Sequence, residues 1–215
     1  MQEKSKITRF GLIRHAQTVW NREKKIQGHS DSPLTPQGRL QAARWAKVLT
    51  KFAWHRLLAS DAGRALKTAE IINACLNLPL IVDSRLREQD WGRWVGMTIP
   101  QIEAEASRMP DAQVNAGWGF CPPGGESRRR VLKRSQKALQ EAARRYPGEN
   151  LLVVAHEGVV KSLIYDLCGR KFLPGEPPIL ASYQLHWLVW QDERLQLEKL
   201  NALDLGVDYL LNEDT

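Results

Sequence analysis

The chain has 215 residues, of which 31 are Lys or Arg and 24 are Asp or Glu, so its formal net charge is +7. Hydrophobic residues make up 43% and charged residues 26%, a globular composition that excludes a largely disordered or fibrous chain. The longest apolar run, residues 151–155, is far shorter than the roughly 20 residues of a membrane-spanning helix, so we expect no membrane partner.

The cysteines and the N-terminus indicate a cytoplasmic protein. Cys75, Cys121 and Cys168 are odd in number and scattered, which is typical of reduced thiols rather than of a disulfide framework or a zinc site. The first four residues lead into no signal-peptide core, so we do not expect export.

The first half of the chain alternates predicted strands and helices. A short strand at 7–13 ends on Arg14 and His15, and Thr35-Pro36 is a favourable start for a helix that reaches about residue 51. A strand at 56–59, a helix at about 62–76 and a strand at 79–82 follow. Residues 97–124 are less regular, with a helical segment near 99–107, and we expect them to form a lid-like insertion.

The second half continues the alternation. Residues 128–145 form a predicted basic helix with an apolar stripe, and the buried strand at 151–155 ends on His156. A helix at 159–167 stops at Gly169, and residues 183–190 and 195–200 are predicted to form an antiparallel hairpin. We therefore expect one α/β domain over residues 1–215, a three-layer sandwich whose mostly parallel central sheet is flanked by helices.

The basic helix has two interpretations. Its arginines lie opposite the predicted apolar stripe, which most often means a solvated helical face. The same face could instead bind a polyanion, and binding to nucleic acid would then weaken steeply with salt. We favour the solvated face and expect no nucleic-acid partner.

Polar residues follow four of the predicted strands. These are Arg14-His15, Ser60-Asp61 with Arg64 one turn later, Arg87-Glu88, and His156. Because ligands of open α/β sheets bind beyond the carboxyl ends of the strands, these side chains are expected to converge on one crevice. Arginine forks match phosphate oxygens in bidentate fashion, so the pattern favours a phosphate ester as the ligand.

The residues at these strand ends also resemble a known family. The segment from Leu12-Ile13-Arg14-His15 to Asn21 is similar to the Arg-His-Gly signature of the histidine phosphatase superfamily, the phosphoglycerate mutase-like proteins. The resemblance continues, in the family's order, through segments 26–28, 31–38, 60–69, 86–88, 92–96, 123–127 and 153–156.

The resemblance implies a two-step phosphoryl transfer through a phosphohistidine. His15 would be the nucleophile, Glu88 the general acid and His156 a second catalytic residue, while Arg14, Asn21 and Arg64 would bind the phosphate. Gln27, Gly28 and Trp91 would contact the substrate. The family implies no cofactor and no metal, because protein cations offset the charge of the phosphate.

Three positions depart from the family pattern. Ala16 stands where the family usually has glycine, and its methyl group is tolerated there if φ is negative. Glu157 also stands where glycine is common; we expect it to point outward and to be inert, since an inward carboxylate would repel the phosphate or act as an alternative acid. Val95 occupies a position that is often acidic.

The substrate class is predicted from residues 97–120. Arg108 is their only basic residue, against Glu103, Glu105 and Asp111, which is a poor clamp for a second anionic group and favours a phosphatase over a mutase. The aromatic side chains Trp91, Trp94, Trp118 and Phe120 are predicted together to wall a pocket.

We therefore expect a metal-independent phosphomonoester hydrolase for a small organic phosphate such as α-ribazole 5′-phosphate or a similar nucleoside-like ester. A phosphoglycerate mutase-type phosphotransferase is the alternative, and a non-catalytic phosphate- or nucleic-acid-binding protein is the second. The sequence leaves homodimer formation open.

Overall fold

The computed structural model describes residues 6–106 and 115–206. In its N-terminal part, the elements are β1 (Thr8–Arg14), α1 (Val19–Arg22), α2 (Pro36–Leu49), β2 (Arg56–Ala59), α3 (Gly63–Leu76) and β3 (Leu80–Val82). Then come 3-10 turns at Ser84–Leu86 and Gly92–Trp94, α4 (Ile99–Ala106) and a 3-10 turn at Gly117–Gly119. The C-terminal part contains α5 (Arg128–Arg145), β4 (Asn150–Ala155), α6 (Glu157–Leu167), β5 (Gln184–Gln191) and β6 (Arg194–Asp204).

One six-stranded sheet organises the fold, in the order β3-β2-β4-β1-β5-β6. The first four strands of that order are mutually parallel, whereas β5 and β6 are antiparallel to their neighbours. Helices cover both faces, which confirms the predicted α/β architecture with a mostly parallel sheet.

The sheet is buried on both sides because alternate residues of its central strands enter two cores. In β4, Leu151 and Val153 pack toward α5 and α6, whereas Leu152 and Val154 pack toward α2 and α3. The continuous apolar run of β4 is therefore the signature of a central strand.

Local sequence signals fix the ends of several elements. Thr35 caps α2, since its side chain accepts a hydrogen bond from the Gly38 N–H at 2.9 Å, and Pro36 occupies the first turn. In the hairpin, Asp192 and Glu193 both have positive φ, as a two-residue turn between right-twisted strands requires.

Other boundaries were predicted less well. Helix α2 ends at Leu49, two residues early, and α6 begins at Glu157, two residues before the predicted start, because His156 is its N-cap. Strand β6 reaches Asp204 because it pairs along the whole of β5 through a bulge. The sequence analysis missed α1, whose single turn is closed by a capping box between Thr18 and Asn21.

The predicted lid lies only partly within the described residues. It contains α4 and the turn at Gly117–Gly119, while Ser107, Arg108 and Asp111 lie outside the described residues. Its role as a lid stays a prediction. Within the described residues, no helix is long and apolar enough to cross a membrane.

Candidate active site

The carboxyl ends of the parallel strands meet at one edge of the sheet, as predicted. A cavity of about 520 Å³ opens there, and eight of the nine predicted site residues line it. These are Arg14, His15, Asn21, Gln27, Gly28, Arg64, Glu88 and Trp91. His156 lies beside it, with its ring centroid 5.2 Å from that of His15.

His15 is buried and held as a neutral ring. Its Nδ1 lies 2.8 Å from the Ala16 carbonyl oxygen, so this nitrogen must carry the hydrogen, and Nε2 accepts a long 3.3 Å hydrogen bond from Arg64 Nε. Burial lowers the pKa of His15 well below its ordinary value, and the charges of Arg14 and Arg64 lower it further. The Nε2 lone pair is therefore available to act as a nucleophile.

Ala16 is compatible with this arrangement because its φ is not positive, so the backbone does not need a glycine at this position. Its methyl group is fully buried. The expected condition for tolerating this departure from the family pattern is met.

The second histidine has one nitrogen bound and one free. His156 Nε2 lies 2.8 Å from Ser60 Oγ, whereas its Nδ1 is buried without a partner in the described structure. Its pKa is lowered well below the ordinary value by burial first, and then by His15 and nearby arginines. With the Ser60 hydroxyl donating to Nε2, the hydrogen of this neutral ring lies on Nδ1, where a phosphate oxygen could accept it.

Arg64 is fixed beside His15 by its contacts with the protein. Its side chain is buried, and it donates from Nη1 to the Ser30 carbonyl at 2.8 Å and from Nη2 to the Gly28 carbonyl at 2.9 Å. Asp31 lies 3.2 Å from Nη1 and also accepts from the Arg64 backbone N–H. Gly28 has a φ of +52° that favours glycine, and its carbonyl accepts from Arg64; it also lines the cavity, and its contact with a substrate stays a prediction.

Arg14 and Glu157 form an ion pair at the mouth of the cavity. The Glu157 side chain is 59% exposed, as predicted, but the expectation that it is inert was wrong because it engages the Nη1 of Arg14. Its place in the first turn of α6 explains the outward direction, since a helix N-terminus stabilises a carboxylate there. Arg14 Nε is buried and has no hydrogen-bond partner among residues 6–106 and 115–206.

Two more predicted residues keep free polar groups. Asn21 uses its Oδ1 to accept from the Thr18 N–H and hydroxyl at 3.1 and 3.0 Å, which leaves its amide nitrogen for a ligand. Gln27 is buried and its Oε1 has no partner in the described structure.

Glu88 is half-buried at the N-terminus of α6. Its carboxylate accepts hydrogen bonds from the N–H groups of Gln89 at 2.7 Å and of Gly158 at 3.1 and 3.2 Å. Burial raises the pKa of Glu88 from its ordinary value, although these N–H donors and Arg64 oppose the rise. A Cβ atom on Gly158 would lie 2.2 Å from Oε1, so any other residue there would displace the Glu88 carboxylate from this position.

The loop that carries Glu88 is held by Arg134, which the sequence analysis assigned to a solvated helical face. Arg134 donates to the carbonyl oxygens of Arg85, Arg87 and Glu88 at 2.7, 2.6 and 2.9 Å. It also binds both carboxylate oxygens of Glu126 at 2.9 Å, and only 19% of its side chain is exposed. Backbone carbonyls are present at every residue, so the sequence shows only an arginine on a basic helix and does not reveal this role of Arg134.

Two groups of predicted residues do not line the cavity. Arg87 forms a two-pronged ion pair with Asp61 at 2.6 and 2.5 Å, so it is not a third phosphate arginine. Of the four aromatic residues expected to wall a pocket, only Trp91 lines the cavity; Trp94 is buried, Trp118 packs on Phe172, and Phe120 contacts Trp91 and Trp94.

The cavity contains cations that the sequence analysis missed. Lys24, Lys25, Arg128 and Lys161 line it, although none of them lies in the segment where the sequence analysis looked for basic residues. The argument against a second anionic group, based on residues 97–120, therefore fails. One of these cations could have been predicted from spacing: Lys161 follows His156 by little more than one helical turn, which places it near the same end of the helix.

A family model describing the histidine phosphatase superfamily (branch 1) matches residues 10–203. The chain belongs to this superfamily. The match and the convergence of both histidines at one edge of the sheet agree with the predicted resemblance, and they identify an enzyme of the phosphatase and mutase type.

Named relatives include phosphatases and mutase-like proteins. The chain is 31% identical over 176 residues to the uncharacterized phosphatase PhoE of Bacillus subtilis, covering 82% of this chain and 83% of that protein. It is 39% identical over 159 residues to phosphoglycerate mutase-like protein 4 of Arabidopsis thaliana, covering 71% and 67%. The solved structure of Bacillus stearothermophilus YhfR superposes with a TM-score of 0.82 at 31% identity, covering 92% and 98%.

Proposed function

We propose that the chain is a metal-independent phosphomonoester hydrolase that acts on a small organic phosphate through a phosphohistidine. The observation that carries this proposal is the neutral His15 ring, whose Nδ1–H is bound to a backbone carbonyl and whose Nε2 lone pair lies beside Arg64. In this state the ring can attack phosphorus without first losing a proton.

In the first step, His15 Nε2 forms a bond to phosphorus while the bond from phosphorus to the ester oxygen breaks. Glu88 donates its proton to the leaving oxygen, and its raised pKa favours the protonated form that this step needs. Arg14, Arg64 and the Nδ1–H of His156 offset the charge on the phosphoryl oxygens, which supplies most of the catalysis of such a transfer.

In the second step, water attacks the phosphohistidine. Glu88 takes a proton from the attacking water as the new oxygen–phosphorus bond forms, and the bond between Nε2 and phosphorus breaks to release inorganic phosphate. Glu88 and His15 then return to their starting states. Asn21, Gln27 and Trp91 are proposed to hold the substrate, because each lines the cavity and the two amides keep free polar groups.

The test is release of inorganic phosphate in EDTA from an aryl phosphate, α-ribazole 5′-phosphate, 3-phosphoglycerate and nucleoside monophosphates. Turnover by the wild type that vanishes in His15→Ala supports the proposal, since the variant lacks the nucleophile. A denaturing alkaline quench during turnover should trap a phosphoryl group on the wild type alone, and later acid treatment should release it.

A mutase-type phosphotransferase is the second candidate, and the additional cations of the cavity favour it. Isomerisation of 3-phosphoglycerate in the presence of 2,3-bisphosphoglycerate, faster than hydrolysis of any monoester, would replace the hydrolase proposal with this one. Retained turnover in His15→Ala would contradict both.

A further inference from the structure

Four cations of the cavity have no role in the proposed phosphoryl transfer, and two of them, Arg128 and Lys161, lie against the same aromatic ring. Arg128 begins α5, and Lys161 lies in the second turn of α6. Within the described residues, neither side chain lies within ion-pair distance of a carboxylate.

Arg128 is held in one position. Its guanidinium lies between the rings of Phe120 and Phe172, at 4.5 and 4.4 Å from their centroids, and its Nη1 donates to the carbonyl oxygens of Gly117 and Phe172 at 3.1 Å each. Its Nε and Nη2 groups have no protein partner in the described structure. Burial lowers the pKa of Arg128 to about 10, so it stays charged at neutral pH.

Lys161 shares the Phe172 ring with Arg128. Its Nζ lies 5.2 Å from the Phe172 centroid and 5.1 Å from that of Tyr165, and it makes no hydrogen bond within the described residues. Burial lowers the pKa of Lys161 and the positive charge of Arg128 lowers it further, while the more distant carboxylates of Glu157 and Glu176 oppose the fall. The Phe172 ring attracts both cations, but the two like charges repel each other, and an anion bound between them would relieve that repulsion.

The phosphoryl group does not account for this charge. The described residues that line the cavity include six cations and two carboxylates. Arg14 and Arg64 are assigned to the phosphoryl oxygens, and each is already paired with one carboxylate of the protein. Of the other four cations, Lys25 pairs with Glu23, whereas Lys161 and Arg128 meet at the Phe172 ring and are available to a different anion in the same cavity.

We infer that the leaving group of the substrate carries a second acidic group, a carboxylate or a phosphate, and that Lys161 and Arg128 bind it. The inference rests on the proposed function, because it describes the ester that His15 would attack. It replaces the neutral, nucleoside-like leaving group that the aromatic residues had suggested, since three of those four residues do not line the cavity.

Two matched pairs of esters test the inference. 3-Phosphoglycerate and glycerol 3-phosphate differ by a carboxylate in place of a hydroxymethyl group, and 3-carboxyphenyl phosphate and phenyl phosphate differ by a carboxylate in place of hydrogen. For the wild type, we expect kcat/KM to favour the acidic member of each pair by about tenfold to hundredfold, the usual strength of a hydrogen bond to a charged group.

Lys161→Met removes the charge but keeps a flexible chain over the two rings, and we expect it to bring both ratios close to one. Lys161→Arg should retain most of the preference. The matched control is Lys133→Met, which removes the same charge from an exposed position of α5 and should leave the ratios as in the wild type.

A wild-type ratio near or below one for both pairs would overturn the inference, as would equal ratios in Lys161→Met and Lys133→Met. Calorimetric binding of the same esters to His15→Ala separates this outcome from a failure of the hydrolase proposal. Absence of turnover together with Lys161-dependent preference for the acidic esters would reject the hydrolase and retain the acidic subsite.

Discussion

Removal of Arg134 should slow hydrolysis most for esters whose leaving oxygen must be protonated by Glu88. The Arg134 guanidinium uses its N–H groups on three carbonyl oxygens of the segment that carries Glu88 and on both oxygens of Glu126. Arg134→Gln cannot span these acceptors, so the carboxyl group of Glu88 loses its fixed position relative to the ester oxygen.

The structure sets the expected magnitudes. Breaking a buried ion pair by removing one partner costs about 3–5 kcal/mol, and partial exposure of Arg134 and Glu126 reduces this to about 2–3 kcal/mol of unfolding free energy. General acid catalysis contributes about 10²–10⁴-fold, so imperfect placement of Glu88 should lower kcat for an alkyl phosphate by about 10–100-fold.

The assay compares glycerol 3-phosphate with 2,4-dinitrophenyl phosphate, whose phenolate leaves without a proton. Arg134→Gln should lower kcat mainly for the alkyl ester, with the same selectivity as Glu88→Gln but a smaller loss. Arg134→Lys should lower kcat less, because a lysine can still pair with Glu126. The matched control is Arg130→Gln, an exposed position on the same helix. Equal losses on both esters, with Glu88→Gln still selective, would refute the positioning role.

Three further predictions concern single contacts. Glu157→Gln should lower the KM for the phosphate ester by about two- to fivefold, since an exposed ion pair with Arg14 contributes about 0.2–1 kcal/mol; a raised KM would mean that Glu157 orients Arg14. Ser60→Ala should lower kcat by about tenfold because His156 loses the partner that fixes its tautomer; an unchanged kcat would exclude this role. His186 is buried, and burial lowers its pKa from 6.5 to about 4. Between these two pH values, the residue is protonated in the unfolded chain but neutral in the folded chain. Stability from this residue is present above pH 6.5 and falls as the pH drops toward 4, by about 3 kcal/mol in total. Urea unfolding of His186→Gln should show a pH dependence in this window that is weaker by one proton, and an unchanged slope would contradict the assignment.

Much of the fold could be predicted from local sequence. The continuous apolar run of β4 and the Thr35-Pro36 start of α2 report burial and capping, which depend on residues close together in the chain. The boundaries that were missed depend on distant partners: β6 extends because β5 pairs along it, and the first turn of α6 donates the Gly158 N–H to the carboxylate of Glu88.

The sequence by itself determined which reactive side chains follow the parallel strands. Because the carboxyl ends of those strands meet, Arg14-His15, Arg64, Glu88 and His156 come together at one edge of the sheet. Only the tertiary structure decided which charges work together. Arg134 serves the Glu88 loop, Arg87 pairs with Asp61, and Lys161 meets Arg128 across Phe172. The physical reason is that a long cationic side chain finds its partner through space, and its partners here are mostly carbonyls and rings that no local pattern records.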